Sequence, residues 1–382
     1  FQAEDGIRDC LLSRGLGDVY KRQDFEYAHN NKNVIWMSQN TNHLPTHGAI
    51  QDAIRKSADE REYTKYPLAS GFPKLKELIL EDLNLPDQDL HITNGGTEAL
   101  YCLMRHIQPK GSEMITSDPS YFVVHKFAKL GGAKCTDIPI YHGDYRFDIE
   151  DIKEAINPNT KSIFLIDPIN PLGSTYPKEE KKAICDLAED HKFWIIDDIT
   201  YCDFAPNHVL AADILPERTI TGYSVSKNCG LAGLRVGSLV GPKEFISEVR
   251  GTMVSDLGIN VVGQRAAIAA LETKKDWLPG MLETARKNQE IIKKAVDKVE
   301  GASLPVYPSA ASMMVIDISK HKADPQSVQD KLLYENDIFV RAGNYVSTRF
   351  GEKFIRVSFS IPTPEVEKFA EAFPKVMEEL NI

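Results

Sequence analysis

The run SVSKNCGLAGLRVG, Ser224 to Gly237, sets one lysine, Lys227, between hydroxyl residues and a glycine-spaced stretch that leads to an arginine. Ser224 lies three residues before Lys227 and Arg235 eight after it, so a loop opening on the lysine can return a hydroxyl and a guanidinium to one dianion. A second anion-binding signal is HITNGGTEALYCLM, where Gly95, Gly96 and Thr97 directly precede a helical run. Backbone N–H groups at such a helix start lack intrahelical partners, and the positive end of the helix dipole faces the same way. FWIIDDITYCDF ends an apolar strand on two carboxylates, and strand ends of open parallel sheets are where ligands bind. Asp198 there can hold a protonated ring nitrogen, while the phenol of Tyr201, three residues on, bonds a neighbouring oxygen. In IFLIDPINPLGSTYP, Asn170 carries an amide donor at the start of a proline-stiffened turn. Together these residues point to a ligand that is an anion with a ring attached.

Taken singly, each has a plainer use. Gly-Gly-Thr before a helix also serves as a turn and N-cap, and one Asp of the pair suits an N-cap while the other stays unexplained. Arginine is most often a surface charge, and Asn-Pro is a common turn. Arg341 and Arg349 have two readings, as contacts to a substrate side-chain carboxylate or as ordinary exposed arginines.

The elements that must position these residues are legible from residue 24 onward. Short β-rich apolar runs (EMITS, AKCTDIPI, SIFLID, FWIID, TITGYSV, RVGSLVG) alternate with helical patterns such as KEEKKAICDLAEDH and KEFISEVRGTM. That alternation predicts an α/β fold, a mainly parallel sheet sandwiched by helices. After residue 258 the pattern changes to one long helix, then SMMVIDIS, PQSVQDKLLYEN, FIRVSFS and a terminal helix, which reads as a smaller α+β domain. The expected division is a segment 24–60 joining the small domain, a large ligand-binding domain 61–280 and a small C-terminal domain 281–382. Residues 1–23 resemble the read-through translation of a sequencing-library adapter and are set aside from fold reasoning.

In their order and spacing, GGTEAL, NPLG, the D-x-x-Y of DITY and SVSKNCGLAGLRVG resemble the class I and II aminotransferases, fold-type I enzymes that depend on pyridoxal 5'-phosphate. The resemblance covers residues 34–382. It implies that Lys227 bonds covalently to the cofactor aldehyde and, once freed by the incoming amino acid, serves as general base. Ser224, Arg235 and the amides of Gly96 and Thr97, with Gly95 beside them, would hold the phosphate. Asp198 would keep the pyridine nitrogen protonated, Asn170 and Tyr201 would bond the phenolic oxygen, and Tyr121 of DPSYFVV would stack on the ring. Tyr66 of KYPLASG matches a tyrosine that reaches the phosphate of the neighbouring subunit, which implies a homodimer with shared active sites. Arg356 of FIRVSFS matches the arginine that clamps the substrate α-carboxylate, where its bidentate fork is required. Ile199 stands where relatives commonly carry an acid, Cys229 lies two positions past the lysine, and SQNTNHLPTHGAI matches the substrate-facing segment only loosely.

The implied reaction moves an amino group between an amino acid, of aspartate or aromatic type, and a 2-oxoacid such as 2-oxoglutarate. A histidinol-phosphate-type aminotransferase, or a decarboxylase or lyase on the same scaffold, shares these cofactor residues. A non-catalytic ligand-binding regulator is disfavoured, because the net charge of -10 opposes a nucleic-acid surface and Lys227 is retained. No apolar run reaches the roughly 18 residues of a membrane span. The 6 cysteines form no C-x-x-C pair, which fits reduced thiols and a cytoplasmic setting, and the histidines show no metal-ligand spacing.

Overall fold

The computed structural model describes residues 23–251, 253 and 257–381, so the adapter-like reading of residues 1–23 falls almost wholly outside the described residues. A helix over residues 23–30 (α1) leads into a short strand β1 (Ile35–Trp36) and then α2 (Gly48–Asp59) and α3 (Pro73–Leu83). The central sheet is built from β2 (Asp89–Thr93), β3 (Glu113–Asp118), β4 (Lys134–Pro139), β5 (Thr160–Ile166), β6 (Trp194–Asp198), β7 (Thr219–Ser224) and β8 (Gly237–Gly241). Between them run α4 (Gly96–Ile107), α5 (Val123–Gly131), α6 (Ile149–Ala155) and α7 (Lys178–His191).

The seven strands lie in the order β2-β8-β7-β6-β5-β3-β4. From β7 to β4 every neighbouring pair is parallel, and β8 alone runs against both of its neighbours. Both faces are covered, so the strands read as near-continuous apolar runs: Ile163, Phe164, Leu165, Ile195 and Ile196 are all buried. The mainly parallel α/β sheet read from the sequence is the one observed. Strand β2 was not foreseen; DLHIT is short, and its Asp89 and His91 obscure the apolar signal.

Beyond the sheet come α8 (Lys243–Gly251), α9 (Val261–Glu272) and α10 (Lys274–Val296), then β9 (Met313–Asp317), α11 (Pro325–Asn336), β10 (Ile338–Phe339), β11 (Arg341–Ala342), β12 (Phe354–Ser358) and α12 (Thr363–Leu380). The expected single long helix is therefore two. Thr273 breaks it, ending α9 and opening α10, with its hydroxyl donating to the Ala269 carbonyl at 2.7 Å. The Trp277 indole caps a second late carbonyl, that of Ala270, at 2.9 Å. A β-branched residue whose hydroxyl competes for backbone carbonyls favours such a break, although apolar periodicity runs through it.

Strands β11, β12 and β9 form a three-stranded antiparallel sheet; α11 packs against β11 and β12, while α10 and α12 pack on each other and share one buried cluster with β9 and β12. Strand β1 pairs in parallel with β10, Ile35 opposite Ile338, so the chain's early segment is tied to its last third. Met37 and Tyr201 share one buried cluster with Met313, Ile355 and Phe359, which joins the end of β6 to the C-terminal sheet through apolar packing. Among the described residues no helix is long and apolar enough to cross a membrane, and no group of His, Cys, Asp or Glu has the arrangement of a metal site.

Candidate active site

A cleft of about 300 Å³ opens at the carboxyl ends of β5, β6 and β7. Its walls include Gly96, Thr97, Tyr121, Asn170, Asp198, Tyr201, Ser224, Lys227, Arg235 and Arg356, so ten residues read from distant stretches of sequence meet in one place.

Lys227 lies three residues past the end of β7, and its Nζ donates to the Gln39 carbonyl at 2.8 Å. Its own carbonyl accepts from the Asn42 amide at 3.0 Å, which fixes the loop from behind. Burial lowers its pKa to about 8, and the positive charges of Arg356 and Arg235 push the same way, against the carboxylate of Asp198. A free amine is thus accessible near neutrality.

Asp198 closes β6. Its carboxylate accepts from the Thr200 amide at 3.1 Å and the Thr200 hydroxyl at 2.6 Å. Burial raises its pKa above the usual carboxylate range; the neighbouring Asp197 adds to that, and the Thr200 hydrogen bonds and Lys227 oppose it. The other acid of the pair turns away from the cleft. Asp197 accepts from the Ala211 amide at 2.9 Å and interacts electrostatically with Lys181 on α7. Lys181 is ion-paired to Asp167, which His208 also approaches at 3.0 Å. Asp197 is therefore part of a buried charge cluster behind the sheet, and no N-cap is needed to explain it.

The phosphate-type cradle is a matter of close backbone approach. Gly95 caps α4 with φ at 79°, and a β-carbon there would collide with the Arg235 guanidinium. At Gly237 a β-carbon would stand 2.6 Å from both Gly95 C and Gly96 N. Arg235 itself has φ at 56°, and its guanidinium donates to the Ala232 carbonyl at 2.9 Å and the Asn94 carbonyl at 3.2 Å, directly beside the α4 start. Ser224 Oγ accepts from the Ser226 amide at 3.2 Å, and Thr97 Oγ1 lies 3.3 Å from the Tyr121 hydroxyl.

On the opposite wall Arg356, from β12, donates to Asn170 Oδ1 at 3.0 Å and to the Ser38 carbonyl at 2.6 Å. Taking up the Asn170 oxygen leaves that side chain's NH₂ as its donor. The Tyr201 hydroxyl accepts from Asn40 Nδ2 at 3.3 Å, and burial raises its pKa.

Tyr66 is not brought to this cleft. It is 79 % exposed and lines a separate groove with Phe72 and Arg265. Arg349 is exposed, whereas Arg341 is buried and lines the cleft, so the reading of both as ordinary surface arginines fails for Arg341. Asn40 was missed as well. It has φ at 57° and is gripped from both sides, its amide donating to Ser358 Oγ at 2.9 Å and its carbonyl accepting from Ser312 Oγ at 2.9 Å. The only signal was the first of two asparagines in SQNTNHLP, whose partners lie far along the chain. Ile199 and Cys229 are both packed into the core, as expected of a packed thiol, and the five cysteines among the described residues are free.

This architecture, with a cleft at the carboxyl ends of the parallel strands, is that of the fold-type I transferases. Aspartate aminotransferase from Thermus thermophilus with maleate superposes with a TM-score of 0.81 at 23% identity, covering 93% of this chain and 95% of that one. The family model for aminotransferase class I and II matches residues 32–373, and the chain belongs to that family. It is 28% identical over 374 residues to an aspartate aminotransferase of Pyrococcus horikoshii, covering 94% of each, and 25% identical over 341 residues to the aspartate/prephenate aminotransferase of Thermus thermophilus, covering 86% of this chain and 87% of that protein. The protein is an aminotransferase; a decarboxylase, a lyase or a regulator is not favoured.

Proposed function

We propose that the protein is a cytoplasmic, homodimeric enzyme that holds pyridoxal 5'-phosphate in this cleft. It exchanges an amino group between an amino acid of aspartate or aromatic type and a 2-oxoacid such as 2-oxoglutarate. The observation that carries the reading is the meeting of the Lys227 amine, the buried Asp198 carboxylate and the buried Arg356 guanidinium in one cleft beside the start of α4.

The residues fit the cofactor. The start of α4 at Gly96 and Thr97, with Ser224 and Arg235, supplies donors and positive charge for a phosphate where the glycines let backbone come close. Asp198 offers a buried carboxylate to a ring nitrogen, and Tyr201 and the Asn170 amide offer donors to a ring oxygen. Tyr121, tethered to Thr97, would cover a ring face. Bound pyridoxal phosphate supplies an aldehyde to take up the amino group and a ring that accommodates charge developing at the substrate α-carbon. Arg356 Nη1 and Nη2 hold the α-carboxylate, and their ties to Asn170 and Ser38 fix the orientation of that fork. Lys227 Nζ, as free base, takes the α-proton. Asp198 would keep the proton on the ring nitrogen of the bound group, the state in which such a ring best accepts negative charge. Residues 61–280 would carry the cofactor, with 281–382 and 24–60 as the smaller unit that contributes Arg356.

The test is the absorbance spectrum of the protein with pyridoxal phosphate, titrated with aspartate and aromatic amino acids. A visible band that is lost in Lys227→Ala, bleached by one of these donors and restored by 2-oxoglutarate is the expected result. A band that none of them bleaches would sink the donor assignment.

A further inference from the structure

Lys274 opens α10, at the end where the helix dipole disfavours a cation. It is held there by two carboxylates: Nζ lies 2.6 and 2.7 Å from the Asp82 oxygens and 2.7 Å from Asp203 Oδ1. The Lys274 and Asp203 side chains are only 14% and 11% exposed. Burial acts to lower the Lys274 pKa, but Asp203 and Asp82 outweigh it and raise it, so the ammonium stays charged between them. Two acids to one cation leave a negative charge over, and neutral donors take it up. Tyr223 donates to Asp82 at 3.1 Å, and the Asn228 amide donates to the second Asp203 oxygen. Such a cluster is a poor source of stability, because its desolvation cost rivals its attraction. Its geometry points to another use.

That use lies in the residue the cluster ends on. Asn228 directly follows Lys227, in a loop of bends and turns past β7. Both ends of its side-chain amide are engaged, since Nδ2 donates to Asp203 and Oδ1 accepts from the Cys229 amide at 2.8 Å. The carbonyls of Lys227 and Asn228 accept from the Asn42 backbone amide at 3.0 Å and from Asn42 Nδ2 at 2.9 Å. Gly230 presses the same loop onto Asn42, where a β-carbon would stand 2.7 Å from the Asn42 oxygen. The peptide that carries Lys227 is thus gripped through its carbonyls by Asn42 and through the Asn228 side chain by Asp203. Asp203 itself lies two residues past Tyr201, so one short turn after β6 serves both the phenol in the cleft and the lysine loop. Lysine has a flexible four-carbon stem, and the backbone it starts from decides where its amine can go.

We propose that Asp203, held by Lys274, is a positioning residue for Lys227: through Asn228 it fixes the backbone from which the lysine starts, and so the line along which the amine meets a carbonyl carbon in the cleft. This rests on the reading that pyridoxal phosphate is bound there and that the free Lys227 amine adds to its aldehyde carbon with loss of one water. Positioning of this kind acts on the rate of bond formation. The hold on the phosphate and the ring is left to other residues.

The experiment uses the full-length chain freed of cofactor. Rapid mixing with saturating pyridoxal phosphate reads the first-order growth of the visible band, while calorimetry with pyridoxine phosphate, which lacks the aldehyde, measures binding without the bond. Asp203→Asn should slow band growth about tenfold or more and change pyridoxine phosphate affinity by less than about threefold. Asn228→Ala should reproduce that slowing, and the double variant should be no slower than either, because both act through one hydrogen bond. Asp82→Asn removes the other carboxylate on Lys274, which bonds to Tyr223 instead of the lysine loop, and should leave the rate within about twofold of the parent. Unchanged band growth in Asp203→Asn or Asn228→Ala overturns the proposal. So does slowing that multiplies in the double variant, or that is matched by an equal loss of pyridoxine phosphate affinity, the mark of a cleft loosened as a whole. Asn228→Ala alters no charge and decides the matter alone if Asp203→Asn does not fold. A parent that forms no band, or Lys227→Ala that still forms one, breaks the cofactor or lysine reading instead, and the two failures are told apart.

Discussion

Lys227 shows how much of the chemistry rests on one environment. At its ordinary pKa of 10.5 only about 1 in 3,000 of its amines would be free at pH 7; at about 8 the fraction is roughly 1 in 10. Competitive acetylation of the cofactor-free protein, read by mass spectrometry, should therefore show Lys227 reactivity rising to a plateau near pH 8 to 9. In Arg235→Leu the midpoint should move upward, because a neighbouring positive charge has gone. The same shift costs stability, with a sign that can be checked. Between about pH 8 and 10.5 the unfolded chain binds more protons than the folded one, so the penalty falls as pH rises and vanishes above 10.5. Lys227→Met should accordingly be more stable than the parent at pH 7, by about 2 kcal/mol in urea unfolding, with the gap closing toward pH 10.5. A methionine variant that is less stable at pH 7 would show that the buried amine carries no such penalty. The type and spacing of Lys227, Asp198 and Arg235 were readable because each lies in a short local signal, Asp198 at the end of β6 and Lys227 and Arg235 in the glycine-spaced loop between β7 and β8. Asn40 was not, and Arg341 could not be told from the exposed Arg349, since what distinguishes both is burial beside residues distant in sequence.

At the level of elements, the helices that local chemistry caps were legible in place and extent, although KEFISEVRGTM runs two residues past the end of α8 at Gly251. KEEKKAICDLAEDH and PQSVQDKLLYEN coincide with α7 and α11, the second opened by an Asp324 cap followed by proline. Contexts that override periodicity, the Thr273 break and the polar strand β2, were not. Helix α7 also carries a residue whose role needs the tertiary structure: Lys181, fully buried, binds the Asp167 carboxylate just past β5 and the Val209 carbonyl at 2.6 Å. Burial alone would raise the Asp167 pKa, yet Lys181 and His208 outweigh it and hold it at about 2. The Asp167 amide in turn donates to the Asp198 carbonyl at 3.0 Å, so this pair lies directly behind the cleft. Lys181→Met leaves buried acids without their cation and should cost about 3 to 5 kcal/mol by denaturant unfolding. Combining it with Asp167→Asn should recover much of that loss, because both members of the pair are then neutral. If the single variant loses under 1 kcal/mol, the pair does not hold the ends of β5 and β6.

For the whole molecule, the open matter is where Tyr66 acts. Its ring is 79% exposed and sits with other exposed apolar groups, Tyr63 at 61% and Leu68 at 58%, along the turn between α2 and α3. Gly258 packs against this turn, its α-carbon so close that a β-carbon would stand 2.6 Å from the Leu68 carbonyl, which brings the half-exposed Leu257 to the same region. Large apolar side chains grouped on one surface mark a contact with another protein more often than a free face. The groove beside them is edged by Glu62 and Arg265, bonded at 3.1 and 3.2 Å, so charge rims an apolar centre as in an interface. A second copy of the chain seated here would deliver the Tyr66 phenol to its partner's phosphate cradle. Sedimentation should then give a dimer, and Tyr66→Phe should remain dimeric while releasing pyridoxal phosphate about tenfold more readily, since one hydrogen bond to a charged group is worth roughly 1.5 kcal/mol. Leu68→Glu places a charge in the contact and should yield monomers that lose the cofactor tyrosine together with the interface. A monomeric parent protein with full transaminase activity would refute both expectations, because a complete site would then exist within one chain whose own Tyr66 lies elsewhere.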